Sequence, residues 1–398
     1  MAVNRTSKAK GKVVDIPANA PTIGTATDGG NATTANVVFT APSTTTGGPI
    51  FSYTAISNPG SFSNTGTSSP ITISGLTAST SYTFTVAAVN PTGSGAYSAA
   101  SNSLTILALA LSLGYVAGGP SGGGTTTDKW VTSTDTRSTL GTGLSIAMYD
   151  LGAMANFATA GYVLPGYGGG YQTVINKFLK SDDSRSTLTS GLSSARYASC
   201  GFASSTSGYA AAGATSANRV NTVDKYLFSD DTRTTLGTGM TTAVMEGTGF
   251  ESSTSGYMCG GYNDSGNKIN TIAKLAFSND ATSSSGTTLA GIRNGGMGYN
   301  SDTNGYMVGG DDGSVALREQ NIIAFSNDAR TTASTVLTVI CRTGGAFHSA
   351  TAGYVAQGLA NGAAVTTVDK VPFSTNTATA LANGLSTSRG NCQGAFQL

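Results

Sequence analysis

Past a short basic start, the chain runs in stretches where apolar and polar residues alternate, broken by Gly, Pro, Asn or Ser. Residues 35–42 (Ala-Asn-Val-Val-Phe-Thr-Ala-Pro), 50–55 (Ile-Phe-Ser-Tyr-Thr-Ala) and 81–90 (Ser-Tyr-Thr-Phe-Thr-Val-Ala-Ala-Val-Asn) show the period of two expected of half-buried strands. About seven such strands fit between residues 21 and 107, which predicts a sandwich of two sheets. From Gly114 the pattern becomes a repeat. Gly-Tyr, two apolar or small residues and usually Gly-Gly recur at Gly114-Tyr115, Gly161-Tyr162, Gly208-Tyr209, Gly256-Tyr257, Gly305-Tyr306 and Gly353-Tyr354, in steps of 47, 47, 48, 49 and 48 residues.

Each copy predicts the same four parts. An apolar-small run ends in a tight turn (201–208, 249–256), and the Gly-Tyr strand follows at once. Next come a strand such as 223–229, paralleled by 272–278, 322–326 and 368–374, and a Thr-rich strand after a polar turn, as in 229–236 beside 181–188. No 3.6-residue period runs through the repeat, so helical solenoids are excluded. Four short strands every ~48 residues are the unit of a β-propeller blade. The order of parts resembles kelch repeats over roughly 114–398, with Thr, Ser or Leu where that family has Trp near the start of the fourth strand.

The count of strands predicts how the ring shuts. The first copy begins at Gly114 with no first strand before it, while residues 390–398 (Gly-Asn-Cys-Gln-Gly-Ala-Phe-Gln-Leu) repeat the first-strand pattern of 198–203 and of Gly345-Ala346-Phe347 with no Gly-Tyr strand after them. The C-terminal strand is therefore expected to complete the blade begun at Gly114, which removes both exposed edges.

Ile73-Ser74-Gly75-Leu76, followed by Tyr82, Phe84, Val86, Ala88, Asn90 and Gly93, resembles the second half of a fibronectin type III module. The resemblance implies that Tyr82 is the tyrosine corner, Leu76 the leucine before it, and Phe39 the residue where the family usually has Trp. The expected organisation is all-β. A basic arm (1–20) precedes an immunoglobulin-like fibronectin type III sandwich (21–107), a linker (108–113) and a six-bladed kelch-like propeller (114–398) closed by the C-terminal strand.

Composition narrows the function. Only 10% of residues are charged, so the surface is expected to be made of Ser, Thr, Asn and Gly; 21 basic against 20 acidic residues leave no field for nucleic acid. The apolar run 106–113 is far short of a membrane helix, and the start of the chain has no secretory pattern. Cys200, Cys259, Cys341 and Cys392 lack metal or redox spacing and read as small buried residues.

Candidate chemistry lies where the copies differ. The repeated tyrosines have a fixed place that argues for packing between blades, whereas the connections after Gly-Gly vary and should crowd one face. Tyr167, Tyr171, Tyr262, Asn263, Asp264, Asp311, Asp312, Arg318 and Glu319 are the aromatic and polar members a ligand would use. Asp182-Asp183 and Asp230-Asp231 read as turn caps, and no metal or cofactor is expected. His348, the one histidine, is expected to line the axis; no catalytic constellation is legible, so the chain is not expected to be an enzyme.

The uncharged composition, the immunoglobulin-like module and the repeat-built head resemble virion proteins of tailed phages: fibres, tail appendages or capsid decorations. That resemblance implies a particle-borne attachment protein in several copies, made in the host cytoplasm. It would join other virion proteins through the arm and sandwich and meet host-surface glycan or protein through the propeller, with no nucleic acid and no membrane insertion. The alternatives are a glycan-active hydrolase or lyase and a non-viral kelch-type interaction scaffold.

Overall fold

The computed structural model describes residues 17–29, 33–43, 48–77, 80–106, 112–119, 124–333, 336–392 and 394–398, and every regular element in them is a β-strand. Among the described residues no helix is long and apolar enough to cross a membrane. The basic arm up to residue 16 and most of the expected 108–113 linker lie outside the described residues. The chain divides into two compact units between residues 110 and 111.

The first unit is a sandwich. Thr22–Asp28, Ala35–Thr40 and Ile71–Ile73 form one antiparallel sheet; Ser63–Gly66, Ser52–Asn58, Ser81–Asn90 and Gly93–Tyr97 form the other, with Leu104–Thr105 beside the start of Ser81–Asn90. Alternation along Ser81–Asn90 turns Tyr82, Phe84, Val86 and Ala88 into the core with Val37, Phe39, Ile71 and Ile73. Burying each large member stabilises the unit by about 1.5–3 kcal/mol. Tyr82 ties a corner of the sandwich, since its hydroxyl accepts the Thr77 N–H at 3.0 Å. The Phe39 ring packs 4.7 Å from that of Tyr53.

Among the described residues the second unit holds six four-stranded antiparallel sheets, numbered here from the one that contains Tyr115, with a two-stranded and a three-stranded sheet in its connections. The second sheet shows the pattern: Gly152–Asn156, Ala160–Leu164, Asn176–Leu179 and Arg185–Thr187 follow in sequence. The first sheet differs. Its Leu113–Ala117, Thr127–Val131 and Thr136–Thr139 are joined by Gly394–Gln397 from the far end of the chain, which sets Phe396 opposite Tyr115. First strands pack each on the next through the second to sixth sheets, and Gly394–Gln397 contacts both Gly152–Asn156 and Gly345–His348. Just before these strands, six backbone hydrogen bonds of 2.7–3.1 Å pass from Asn391 to Asp150, Ala198, Glu246, Gly295, Thr343 and back to Cys392.

The Gly-Tyr phrase now has a physical cause. On each Gly lies the bulky first-strand residue of the preceding sheet: Phe347 on Gly114, Phe396 on Gly161, Met154 on Gly208, Phe202 on Gly256, Phe250 on Gly305 and Tyr299 on Gly353. A Cβ there would sit 1.9–2.5 Å from those side chains, so only Gly fits. The Tyr beside it reaches forward. Tyr115 donates its hydroxyl to Asp183 at 2.7 Å, Tyr162 to Asp231 at 2.8 Å, Tyr209 to Asp280 at 2.9 Å, Tyr257 to Asp328 at 2.7 Å and Tyr354 to Asp135 at 2.7 Å.

Each acceptor stands in the next sheet, in the turn between third and fourth strands, with φ between 53° and 59°. Asp is among the few residues with side chains that adopt this left-handed backbone readily. The Lys directly across from each Tyr (Lys129, Lys177, Lys225, Lys274, Lys370) ion-pairs with the same Asp at 2.7–3.0 Å. A second tie joins the chain within or after each of several fourth strands to the next third strand. Ser145 N–H meets Asn176, Ser193 meets Asp224, Ala290 meets Asn321, Thr338 meets Asp369 and Ser386 meets Asp128. Asp224 and Asp128 also pair with Arg196 and Arg389, all four fully buried.

Candidate functional site

Because strands alternate in direction, the chain leaves second and fourth strands on the same face. Connections of the two kinds meet there. Tyr149 bridges to Tyr167, Tyr197 to Ala214 and Asn294 to Asp311, while Val244–Met245 pairs with Tyr262–Asn263 and Cys341–Arg342 with Leu359–Ala360. The backbone of this face is thus tied across its loops, which fixes the side chains on it.

Tyr167 and Tyr171 come together with two tyrosines from connections between sheets. Ring centroids lie 5.7 Å apart for Tyr149 and Tyr167, 5.5 Å for Tyr167 and Tyr171, 5.7 Å for Tyr167 and Tyr197, and 5.6 Å for Tyr171 and Tyr197. All four are half-buried, so each offers part of a ring and a hydroxyl to solvent. The Tyr197 hydroxyl donates to Met245 Sδ at 3.7 Å.

Acids flank this cluster. Burial, reinforced by the charge of Glu246, pushes the Asp150 carboxyl up to about 7 against the help of Asn391. Burial raises Glu246 as well, although Asn294 donates to it and Arg342 and Lys268 lie nearby. Asp150 Oδ1, Asn294 Oδ1 and Asn391 Oδ1 are buried acceptors with no donor among the described residues.

The remaining candidates separate into two groups. Tyr262 lies under the Arg219 guanidinium at 5.1 Å, and Asp264 accepts the Arg219 N–H at 2.7 Å, so this pair forms a small cationic and aromatic surface. Asp311 is held between Lys268 and Arg342. Burial opposes its ionisation, but Lys268, the Gly313 amide at 2.7 Å and Arg342 outweigh burial and keep the carboxyl below its usual range. A pocket of ≈ 230 Å³ opens beside it, with Val315, Ile340, Arg342 and Leu359 in its walls.

Others serve the scaffold. Asn263 Oδ1 accepts the Asn267 N–H at 3.0 Å inside its own turn, and Asp312 caps a turn through the Ser314 and Val315 amides. Arg318 donates to the Leu337 and Thr338 carbonyls, and Glu319 neutralises the buried Arg293.

Residues 19–103 match the fibronectin type III domain family. The match covers the sandwich and leaves the six-sheet unit outside it. The chain matches no curated protein. None of the tyrosines, acids or arginines just described belongs to the fibronectin type III domain; its named side chains are core and corner residues. Among the described residues no three His, Cys, Asp or Glu side chains gather as a metal site.

Tyr149, Tyr197, Arg219, Lys268 and Arg342 are site residues that the pattern of the sequence did not single out. All five lie outside the variable stretch of the residues they contact, on neighbouring connections. The usable signal was strand direction: a chain leaving a fourth strand must reach the face reached from a second.

Proposed function

We propose that residues 114–398 are a six-bladed, kelch-like β-propeller and that the chain is an attachment protein of a tailed-phage virion. The propeller meets host-surface glycan or protein, and the fibronectin type III domain acts as spacer. The circuit of backbone hydrogen bonds through Asp150, Ala198, Glu246, Gly295, Thr343 and Cys392 supports the propeller reading. The observation that carries the recognition reading is the half-exposed cluster of Tyr149, Tyr167, Tyr171 and Tyr197 on the variable face.

Tyrosines supply contact area with little rotamer entropy to lose, together with hydroxyls for polar partners. Cross-loop pairing preorganises them, which reduces the cost of binding. Weak contacts at each head become strong through copy number, by about 10²–10⁴ when several heads engage at once.

A second reading, glycan hydrolysis, is favoured by the buried Asp150 and the half-buried Glu246, two carboxyls whose protonation is raised beside that cluster. A glycan array and a host-cell binding assay, run beside a reducing-sugar release assay with the full chain, separate the two. Saturable cell binding that Tyr197→Ala weakens about tenfold, without sugar release, supports attachment. Turnover abolished by Asp150→Asn, without saturable binding to intact cells, overturns it. Mass spectrometry of purified particles tests the virion setting, and absence of the chain from particles rejects that part.

A further inference from the structure

First-strand residues also follow a pattern on the side away from the sheet junctions. Met154, Phe202, Phe250, Tyr299, Phe347 and Phe396 point between sheets, so the residues before and after them face the space that the six strands enclose. The positions before are Ala153, Gly201, Gly249, Gly298, Ala346 and Ala395. They are small because first strands approach closely: at Gly201, Gly249 and Gly298 a Cβ would lie 1.8–2.3 Å from the neighbouring strand's carbonyl.

The positions after are Ala155, Ala203, Glu251, Asn300, His348 and Gln397, four polar residues in succession round the circuit. Those four and Phe157 line one cavity of ≈ 100 Å³. At ~10–15 Å³ per water-sized centre, it holds a group of several heavy atoms.

The polar atoms there are underused. Glu251 accepts one N–H, from Ala203 at 3.3 Å, and among the described residues has no cation beside it. Gln397 donates to Ser112 Oγ at 3.0 Å while its Oε1 is buried without a donor. No hydrogen bond engages the side chains of Asn300 or His348 among the described residues. Burial pushes His348 down to about 4, so the imidazole is neutral and leaves Glu251 uncompensated. Burial pushes Glu251 up to about 7, and a bound cation would draw it back down. Phe157 is 38% exposed, its ring 6.2 Å from that of His348 and edge-on to it.

We propose that this cavity binds the terminal unit of an amino sugar, its ammonium on Glu251, its hydroxyls on Asn300, His348 and Gln397, and its C–H face against Phe157. An unpaired carboxylate selects a cation and repels acidic sugars. Side-by-side amide, imidazole and carboxyl groups match adjacent hydroxyls as donors and acceptors. A volume of ≈ 100 Å³ suits part of a single terminal sugar, with the rest of the ring lying at the open mouth beside Phe157. This site lies at the opposite end of the first strands from the tyrosine cluster and does not depend on what that cluster binds.

Titration calorimetry and saturation-transfer NMR of the full chain with glucosamine, glucose and glucuronate test the assignment. Glucosamine is expected to bind about tenfold more tightly than glucose, and glucuronate not to bind. Glu251→Gln should erase the preference for glucosamine while leaving glucose within about twofold. Phe157→Ala, at an exposed position outside the buried core, should weaken both sugars. Tyr197→Ala should change neither, which keeps failure here distinct from failure of the attachment reading. Absence of saturable glucosamine binding, equal affinity for glucosamine and glucose, or a preference that survives Glu251→Gln would overturn the proposal.

Discussion

At five junctions between consecutive sheets a Tyr and a Lys of one sheet close on an Asp of the next; between the fifth and sixth sheets the Tyr remains as Tyr306, but the Lys and the Asp are replaced. Ile322 stands opposite Tyr306 where the other sheets have Lys, and Asn376 stands in the left-handed turn, with φ 51°, where the others have Asp. Tyr299 takes the place of Phe or Met in the first strand. Its hydroxyl donates to Gln320 Oε1 at 2.5 Å, and Gln320 Nε2 donates to Asn376 at 3.1 Å. A neutral relay therefore replaces an ion pair. What all six junctions retain is the left-handed turn residue, a hydrogen bond to it, and a bulky side chain seated on glycine. Charge is the dispensable part, and the interlock of side chain and glycine is the common one.

That ranking is broken most severely by removing an interlocking strand. Truncation after Ser388 takes away Gly394–Gln397, unseats Phe396 from Gly161 and leaves Leu113–Ala117 as an open edge. The truncated chain is expected to lose cooperative unfolding and to aggregate, as read by circular dichroism and size-exclusion chromatography. Phe396→Ala keeps the strand and should cost about 3–5 kcal/mol in denaturant unfolding. A truncated chain that melts as the full one does would show that the junctions on either side suffice without closure.

The glycines grade the interlock itself. A Cβ at Gly161 would lie 1.9 Å from the Phe396 ring, which is stacked on Tyr115 with centroids 4.8 Å apart and has little room to retreat. At Gly208 the obstacle is Met154 Sδ at 2.5 Å, the end of a flexible side chain. Gly161→Ala should therefore fall at the upper end of the roughly 1–3 kcal/mol typical of overpacking, and Gly208→Ala at the lower end. Equal costs would mean that the glycines serve backbone conformation, not the neighbour's side chain.

These particulars mark how far the sequence reaches. The 47- to 49-residue step, the unpaired first-strand pattern at 390–398 and the Tyr82 corner are visible because each is a local pattern compared with itself. Asp182 and Asp230 were legible as turn caps for the same reason, and they do accept the Ser184 and Thr232 amides at 3.0 Å. Asp183 and Asp231, read as turn caps with them, instead accept from Tyr115 and Tyr162 across a junction, and that role was not legible because these partners lie 68 and 69 residues away in another copy. A repeat hides such contacts: every copy contains both halves, so nothing in one copy shows that the halves meet across a junction. Glu251 escaped notice because its meaning depends on which of two alternating directions faces the space between the first strands, and on Asn300, His348 and Gln397 sharing that direction.

Exchanging the two junction types tests whether charge is as minor as the comparison says. Ile322→Lys with Asn376→Asp supplies both charges at the exceptional junction, at positions where the other pairs remain about a fifth to a third exposed. A gain of at most about 1 kcal/mol is expected, since partly exposed pairs are worth little and the relay from Tyr299 must be given up. The reverse exchange, Lys177→Ile with Asp231→Asn, keeps an acceptor for the Tyr162 hydroxyl and should cost about 1–2 kcal/mol. Both effects should shrink in 1 M salt, where the screening length falls to about 3 Å, while the cost of Gly161→Ala stays constant. Thermal melts at low and high salt read the difference. A reverse exchange that costs more than Gly161→Ala at either salt would put the ion pairs, not the aromatic and glycine interlock, first in holding the six sheets together.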